Sequence, residues 1–438
     1  LTATILATRV GGGFLFYGLE NMYTNGLRFA LATSGVSLSL LLMGQVLAMR
    51  MEKFLNNLSV AEVMGDIYGP IVGFITAVSG TLGVIGVLAI QFQIMSKMLA
   101  TMLDLEETSA TKAAAVIVIV YSAFGGVRAV TLTDVFQLLV FSALLPSLGL
   151  VIWNSLEDTG EVIRVVTEEP IFSLKAIFSW DDESLYYWIL TLFYIIPGMR
   201  PPIFQRIIMA KDIKQAKEAF TYAAALNFLM KIMVAWVALL LLATNSNLVP
   251  DKLVDHLLIT YAYPGLRGML VVGIIALAMS TADSILNACS VLIVNDLLKP
   301  IFPSFEVSVL AARICAAVVG VLAFLLALSF KGNILGLILR SSNFYMPIVT
   351  VPLLMAILGF RSTPRAALLG MIAGFLVVAS WKLLFSHLGI QSLIPGMLAN
   401  LTCLLSAHYL LGEKERVTAL EKGKKKSTTD TKTKQVST

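Results

Sequence analysis

The sequence predicts an all-α polytopic membrane protein with about twelve transmembrane helices. The composition is too apolar for a soluble domain, and stretches long enough to span a bilayer recur along the whole chain. Hydrophobic residues form 58% of the 438 residues and charged residues only 13%, whereas soluble domains carry roughly a quarter charged residues. A third observation, the charge of the connecting loops, orders these stretches across the membrane.

The predicted spans are runs of about 20 predominantly apolar residues, the length at which a helix crosses the hydrocarbon core. They are 2–22, 27–49, 70–100, 112–127, 130–153, 186–208, 216–243, 266–296, 306–330, 333–358, 365–385 and 392–412. A polar connection, 155–185, follows the fifth span and is rich in Asp and Glu. We expect it to form an extracellular or periplasmic loop with a short amphipathic surface helix.

The charges of the loops predict the topology, because cytoplasmic loops carry an excess of Lys and Arg. Every loop that twelve crossings place inside is basic, whereas the outside loops are acidic or nearly uncharged. The inside residues are Arg50, Lys53, Arg128, Arg206, Lys211, Lys214, Lys217, Lys299, Arg361 and Arg365. The lysine-rich tail 413–438 has no apolar period, so we expect a disordered tail. The chain is thus predicted to be integral to the inner or plasma membrane with its C-terminus in the cytoplasm.

Two predicted spans contain residues that break helices. They are Gly11, Gly12 and Gly13 in the first span and Pro197, Gly198, Pro201 and Pro202 in the sixth. Each interior glycine weakens a helix by about 1 kcal/mol and each interior proline by about 3 kcal/mol. We therefore expect discontinuous first and sixth helices.

The two broken spans lie five spans apart, each at the start of a block of five. Because five is odd, the second block starts on the opposite side of the membrane, which predicts an inverted repeat formed by 1–154 and 186–358. Two accessory helices would follow in 359–412. In such repeats the unwound backbone binds substrate and ions near the bilayer midplane. The alternative is two unrelated kinks, which are common in membrane helices.

The eighth predicted span contains a polar cluster within the stretch 276–290 (ALAMSTADSILNACS). Its polar members are Ser280, Thr281, Asp283, Ser284 and Asn287. Polar side chains at this depth are costly unless they face a cavity, a partner or an ion. Hydroxyls offer neutral oxygens that suit a hard cation. Close packing between helices is the alternative, since small residues are enriched at membrane helix interfaces.

Four separated motifs together resemble the sodium:solute symporter family, whose members share the LeuT-type inverted-repeat fold. The motifs are 7–13 (ATRVGGG), 125–137 (GGVRAVTLTDVFQ), 204–206 (FQR) with 211–219 after it, and 279–284 (MSTADS). The first helix, with Glu20 and Tyr23 after the glycines, is most similar to the choline-transporter branch. The family usually has one more helix before the first broken one, and we expect such a helix upstream of Leu1.

The resemblance implies a sodium site between the first and eighth helices. Its ligands would be three backbone carbonyls and two hydroxyls, from Ala7, Val10, Leu277, Ser280 and Thr281. A break at the glycines is compatible with this set, because it frees the carbonyls just before it. Five mostly neutral oxygens suit a weak, reversible sodium site better than a calcium cage.

The resemblance also suggests residues for ion exit and for gating. Asp134 resembles the carboxylate that guides sodium toward the cytoplasm; the alternative is an interfacial carboxylate paired with Arg128. Tyr17 would form part of a gate beside the substrate, although aromatic residues in membrane helices are more often packing or interface anchors.

At two positions near the expected solute site, this chain has arginine where the relatives have other residue types. Arg9 lies where relatives carry an aspartate or a tryptophan, and Arg200 lies near an aromatic position of the choline branch. Aromatic faces would hold a quaternary ammonium group, whereas guanidinium groups match carboxylates and phosphates. We therefore expect an anionic, carboxylate-bearing solute bound by Arg9, Gly12, Gln91, Arg200, Pro201 and Asn343. Alternatively, Arg9 and Arg200 pair with Asp134, Glu20 or backbone carbonyls as gate latches. Lys231 lies in the middle of the seventh span with no evident partner.

The resulting prediction is a sodium-coupled symporter that imports a small organic solute by alternating access, with sodium, the solute and the lipid bilayer as its partners. Scattered His, Cys and carboxylate residues disfavour an enzyme or a transition-metal site, and no partner is expected among nucleic acids. The alternatives are a transporter-like membrane sensor, which would continue into a soluble output domain, or a carrier of a quaternary amine or amino acid, or one coupled to protons. The substrate, the stoichiometry and the oligomeric state stay open.

Overall fold

The computed structural model describes residues 1–385 and 391–410, apart from the side chains of residues 123–133 and 382. This part of the chain contains helices and no strands. The helices are α1 Thr2–Arg9, α2 Gly13–Leu42, α3 Val60–Tyr68, α4 Pro70–Leu103, α5 Glu107–Asn154, α6 Gly160–Glu168, α7 Leu174–Phe178, α8 Asp182–Ile195, α9 Pro201–Ile208, α10 Ile213–Thr244, α11 Leu253–His256, α12 Pro264–Val291, α13 Lys299–Ile301, α14 Val309–Ser329, α15 Ile334–Asn343, α16 Val351–Ile357, α17 Pro364–Leu384 and α18 Leu393–Leu410. Four short π-helical segments extend them: Met43–Leu47, Leu257–Tyr261, Leu292–Leu298 and Met346–Thr350.

Within the described residues, nine helical stretches have the length and hydropathy to cross a membrane. The expectation of about twelve differs from nine for three reasons. The first two predicted spans are joined in one stretch, Gly13–Arg50; the fourth and fifth lie in one helix; and the sixth is divided into pieces too short to qualify. The all-helical membrane architecture is therefore as predicted, whereas the division into spans is not.

The first helix is broken where the glycines stand. Helix α1 has 8 residues and ends at Arg9, and α2 begins at Gly13. A Cβ atom on Gly11 would lie 2.8 Å from Thr281 Oγ1, and one on Gly12 would lie 2.8 Å from Ala278 Cβ. The glycines therefore do more than weaken the helix, because they let the broken backbone approach α12 closely.

The sixth span is broken between Ile196 and Arg200. Helix α8 ends at Ile195, and α9 starts at Pro201 with Arg200 in extended conformation as its N-cap. A proline fits the first helical position, where its missing N–H group costs no hydrogen bond. Pro201 and Pro202 thus start a new helix after the break instead of kinking a continuous one.

Glycine also separates the first two predicted spans. Gly26, inside α2, has φ +47° and ψ −125°, a conformation that favours glycine. The two arms of α2 on either side of it correspond to the end of the first span and to the second span.

The prediction of a loop between the fourth and fifth spans is wrong. Residues 128 and 129 lie inside α5, which continues for 48 residues from Glu107 to Asn154. They are Arg and Ala, which have high helix propensity, and the helix continues through them in spite of Gly125 and Gly126 just before.

The remaining segments surround the breaks. Helix α1 packs against α5, α9, α10 and α12, which buries the short helix in the middle of the bundle. The polar connection 155–185 contains the short helices α6 and α7, and Arg164 forms ion pairs on the surface of α6 with Glu161 and Glu168. The tail 413–438 lies outside the described residues.

Candidate ion and solute site

The hydroxyl group of Thr281 connects α12 to the end of α1. Its Oγ1 lies 3.0 Å from the carbonyl oxygen of Leu277, one turn earlier in α12, and 3.2 Å from that of Ala7. The hydroxyl hydrogen is donated to these carbonyls, and all three residues are buried. Three of the five predicted sodium ligands are thereby brought together across the helix break.

The other two predicted ligands lie beside this group. Ser280 donates a hydrogen bond to Oδ1 of Asp134, and Thr4 donates to Oδ2 of the same carboxylate. Val10 ends α1, and its N–H group donates to the Leu6 carbonyl oxygen at 2.7 Å. Ser280 is therefore linked to the predicted ion-exit carboxylate, and Val10 marks the point where the α1 carbonyls lose their helical partners.

Asp134 is not an interfacial residue. Its exposed fraction is 0%, and its two hydroxyl partners come from α1 and α12. The side chain of Arg128, the partner in the alternative interpretation, lies outside the described residues. Arg206 lies one helical turn away, because its hydrogen-bond partners Thr8 and Ser284 come four residues after Thr4 and Ser280.

Arg206 corrects an expectation, because the loop charges suggested a cytoplasmic, solvated side chain. It is only 2% exposed. Its Nε donates to Thr8 Oγ1 at 3.2 Å, and its Nη2 donates to Ser284. Arg206 lies in the last turn of α9 and points into the bundle, so it ties α9 to α1 and to α12.

A cavity of about 140 Å³ lies beside the break in α1. Helix α4, the segment before α9, and α10 form much of the rest of its wall. Its polar lining residues are Thr8, Arg9, Tyr17, Gln91, Tyr194, Arg200, Asn227, Lys231 and Thr281. The same Thr281 that touches Ala7 thus also faces the cavity.

Three buried polar atoms on the cavity wall have no hydrogen-bond partner in the part of the chain that the structure describes. They are Arg9 Nε, Gln91 Oε1 and Tyr194 OH. Buried polar groups are almost always satisfied in native proteins, and each unsatisfied one costs about 1–3 kcal/mol. A polar solute in the cavity would supply the missing partners.

The wall of the cavity is positively charged. Arg9, Arg200 and Lys231 line it, and its lining includes no Asp or Glu. Arg9 Nη2 contacts Met43 Sδ at 3.5 Å, Arg200 Nη2 donates to Ser342, and Lys231 Nζ lies 5.4 Å from the centre of the Phe14 ring. Within residues 1–385 and 391–410, none of the three cations forms a salt bridge.

This arrangement contradicts the latch interpretation of the two arginines as far as carboxylates are concerned. Neither Arg9 nor Arg200 pairs with Asp134 or Glu20, and their polar contacts are a thioether and a hydroxyl. Both guanidinium groups instead face the cavity.

Some predicted solute residues lie elsewhere. Gln91 and Tyr17 line the cavity, but Gly12, Pro201 and Asn343 do not. Gly12 packs against Ala278 and Pro201 packs against Gly80. Neighbouring helices therefore cover these two residues and separate them from the cavity. Asn343 is the last residue of α15.

Tyr17 packs edge-to-face against two aromatic rings. Its ring centre lies 6.5 Å from that of Phe14 and 6.3 Å from that of Phe29. A gating role stays a prediction.

Four polar residues of the cavity wall were not predicted as solute or ion contacts: Thr8, Tyr194, Asn227 and Lys231. Lys231 gave a signal, since a lysine in the middle of an apolar span without a partner suggests a function. Tyr194 and Asn227 gave none, because tyrosine and asparagine occur at many membrane positions that merely pack or anchor.

A model of the Sodium:solute symporter family matches residues 1–374. This chain belongs to the sodium:solute symporter family. The resemblance of the four sequence motifs is confirmed, and the match includes both helix breaks and the Ser280–Thr281 cluster.

Curated relatives transport different solutes. The sodium/proline symporter of Escherichia coli K12 is 28% identical over 303 residues, covering 65% of this chain and 59% of that protein. High-affinity choline transporter 1 of Drosophila melanogaster is 28% identical over 378 residues, covering 81% of this chain and 59% of that protein. The human high affinity choline transporter 1 is 26% identical over 403 residues, 85% of this chain and 66% of that protein. The chain therefore matches about three fifths of the length of the first two relatives.

The fold is shared with a solved structure of a Na+-coupled sialic acid symporter in a substrate-bound, outward-open state. The two structures superpose with a TM-score of 0.79 over 93% of this chain and 88% of that one, at 16% sequence identity. The predicted LeuT-like helical fold is thereby confirmed.

Proposed function

We propose that this protein is a sodium-coupled symporter of the cell membrane that imports a small anionic solute by alternating access. One observation carries the proposal. The cavity beside the break in α1 presents Arg9, Arg200 and Lys231 without a carboxylate in its lining, and it shares Thr281 with a cluster of neutral oxygens. Family membership supports coupled transport rather than enzymatic catalysis.

Sodium would bind in that oxygen cluster. The carbonyl oxygens of Ala7, Val10 and Leu277 and the hydroxyls of Ser280 and Thr281 are neutral donors, as a hard monovalent cation requires. The 3.2 Å contact between Thr281 Oγ1 and the Ala7 carbonyl supports this assignment, because it brings ligands of α1 and α12 to one point. An ion held there would tie the broken helix to α12.

The solute would bind in the cavity through its anionic group. Helix α2 begins at Gly13, which lines the cavity, so the positive end of its dipole adds to the side-chain cations. A neutral or cationic solute would leave Arg9 and Arg200 buried and unpaired, which is energetically costly. Choline, the cationic solute that the names of two relatives indicate, is therefore less suitable for this cavity.

Transport would follow from two ligands that favour the same arrangement of helices. Sodium and solute both contact the break in α1, so each would stabilise the conformation that binds the other, and this coupling is reciprocal. The blocks 1–154 and 186–358 would move against each other around the two breaks. Asp134, hydrogen-bonded to Thr4 and Ser280, would guide sodium toward the cytoplasm when α1 moves.

Uptake by the purified protein in liposomes tests this function. An inward sodium gradient should drive accumulation of a labelled carboxylate, and an equal potassium gradient should not. Neutral amino acids and quaternary amines serve as comparison solutes. Accumulation driven by a proton gradient alone would contradict sodium coupling, and accumulation of choline in preference to every carboxylate would contradict the anionic solute.

A further inference from the structure

The three cations of the cavity form two separate sites. Arg9 is the last residue of α1 and Arg200 is the N-cap of α9, so the two guanidinium groups come from the two helix breaks, and α1 packs against α9. Lys231 comes from the middle of α10, and its Nζ lies over the ring of Phe14. The wall therefore presents a guanidinium pair in one place and a single ammonium group in another.

The guanidinium pair by itself suffices for one carboxylate. A carboxylate has two oxygens, each able to accept hydrogen bonds from a planar guanidinium fork. Arg9 Nε is buried and without a partner, and a carboxylate bound by the pair would accept from it. Such a monoanion would still leave Lys231 without a counter-ion.

Lys231 has no counter-ion among the described residues. It is 7% exposed in the middle of α10, and it forms no salt bridge within the described ranges. Its Nζ lies 5.4 Å from the centre of the Phe14 ring, and this cation–π contact neutralises no charge. A buried lysine of this kind is expensive in a membrane and marks a functional position.

Occupation of the neighbouring oxygen cluster by sodium would add a further positive charge, since its ligands are neutral. Asp134 does not offset this, because Arg206, buried one helical turn away on Thr8 and Ser284, brings an equal positive charge. A solute with a single negative charge would therefore leave the site strongly positive. A solute with two negative charges would neutralise more of this charge, with one anionic group at the guanidinium pair and the other at Lys231.

The size of the cavity limits the solute. Its volume of about 140 Å³ is below the range of about 300–1,000 Å³ that holds drug-sized ligands. A dianion of four or five carbons is of suitable size.

We propose that the solute is a small dicarboxylate, with one carboxylate bound by Arg9 and Arg200 and the other by Lys231. This inference rests on the proposed function, and it narrows the solute from an anion to a dianion. It also assigns Lys231 as the residue that distinguishes dicarboxylates from monocarboxylates.

Succinate and succinamate make the sharpest probes, because they have nearly the same shape and differ by one negative charge. Sodium-driven uptake of labelled succinate is measured in proteoliposomes, with unlabelled succinate, succinamate and butyrate as competitors. We expect succinate to be accumulated, and succinamate and butyrate to compete at least about tenfold more weakly.

Substitution of Lys231 tests the assignment within the protein. Lys231→Met should raise the half-saturation concentration of succinate at least about tenfold and abolish the preference over succinamate, whereas Lys231→Arg should retain that preference. Lys97→Met is the matched control, since Lys97 Nζ lies 5.7 Å from the Phe16 ring but lines a different pocket. It should keep the preference for succinate.

The outcomes separate this inference from the proposed function. Sodium-driven uptake of butyrate or succinamate as good as that of succinate overturns the dicarboxylate and leaves anion transport intact. A preference that persists in Lys231→Met overturns the role of Lys231. Monodisperse protein that carries choline or neutral solutes only, or no member of the panel, overturns both proposals. If Lys231→Met fails to fold, the comparison of succinate with succinamate in the unaltered protein still decides.

Discussion

Two groups of buried charges lie on α1 and its neighbours, and they differ in whether they have partners. In the first, Asp134 and Arg206 are surrounded by hydroxyl groups that accept from or donate to them: Thr4, Thr8, Ser280 and Ser284. In the second, Arg9, Arg200 and Lys231 face the cavity without a carboxylate. The first group binds helices to one another, whereas the second is left for a ligand.

Whether a buried charge has partners within the protein indicates whether its role is structural or ligand binding. A charged group whose hydrogen bonds are satisfied within the protein stabilises one arrangement of helices. A group that lacks partners reduces stability and is retained where a ligand pairs with it. The two groups should therefore respond in opposite ways when a charge is removed.

The largest effect is expected from a pair of matched substitutions, Arg206→Met and Arg200→Met. The first removes the buried donor to Thr8 and Ser284 and should destabilise the protein by about 1.5–3 kcal/mol. The second removes a cation that has no carboxylate partner and should leave stability nearly unchanged, while solute affinity falls at least about tenfold. Thermal unfolding in detergent and solute uptake measure the two quantities. Equal destabilisation by both substitutions would remove the distinction between the groups.

The oxygen cluster between the two groups is tested by Ser280→Ala combined with Thr281→Ala. Losing two ligands of a cation should raise the half-saturation concentration of sodium at least about 100-fold, since each hydrogen-bond-like contact with a charged group contributes about 1.5–3 kcal/mol. The protein should stay folded and monodisperse.

Ser290→Ala is the control for this double substitution, because Ser290 lies on the same helix but donates to the Asn287 carbonyl at 2.8 Å. It should keep normal sodium dependence. Sodium dependence that is unchanged in the double variant would refute the proposed sodium ligands.

A smaller effect is expected from Gly11→Ala, which adds a methyl group between the two charge groups. The new Cβ would lie 2.8 Å from Thr281 Oγ1 and 3.3 Å from Gln91 Oε1, so α1 and α12 must separate slightly. We expect a rise of about three- to tenfold in the half-saturation concentration of sodium. Gly268→Ala, with nothing within 4 Å of the added atom, should show no such rise. Equal behaviour of the two variants would mean that the close approach at Gly11 has no part in ion binding.

The smallest effect on stability should come from removing a solvent-exposed charge, because water screens its interactions more than those of the two buried groups. Asp181 caps α8, and hydrogen bonds from Ser179 and from the Ser184 N–H group lower the pKa of its carboxyl group to about 2. Because this folded-state pKa is below the unfolded value of about 3.9, the stabilisation is fully present above about pH 4 and is lost as the pH falls toward 2.

Asp181→Asn should therefore lower the unfolding temperature slightly at pH 6, and the difference from the unaltered protein should shrink between pH 4 and pH 2. The measurement is thermal unfolding of both proteins across that range. A difference that stays constant with pH would exclude the ionised carboxylate as its cause.

The two helix breaks and the hydroxyl cluster could be predicted because their causes are local. Glycine and proline destabilise the interior of a helix, so interruptions near Gly11–Gly13 and between α8 and α9 could be expected from residue types. Ser280 and Thr281 stood out because polar groups are rare at the depth of an apolar span. These features, with the apolar composition, determined the fold class and pointed to α1 and α12 as the site.

The tertiary structure decided which side chains meet. Hydropathy placed Arg206 among solvated loop charges, yet it is buried beside Ser284, and it placed a loop inside α5 where the helix continues. The same holds for the solute site, where Lys231 and Tyr194 join Arg9 and Arg200 while Asn343 does not. The sequence by itself determined the breaks, the apolar spans and the polar cluster, because these depend on neighbouring residues; the partners of each buried charge depend on how distant helices pack, and that is set by the tertiary fold.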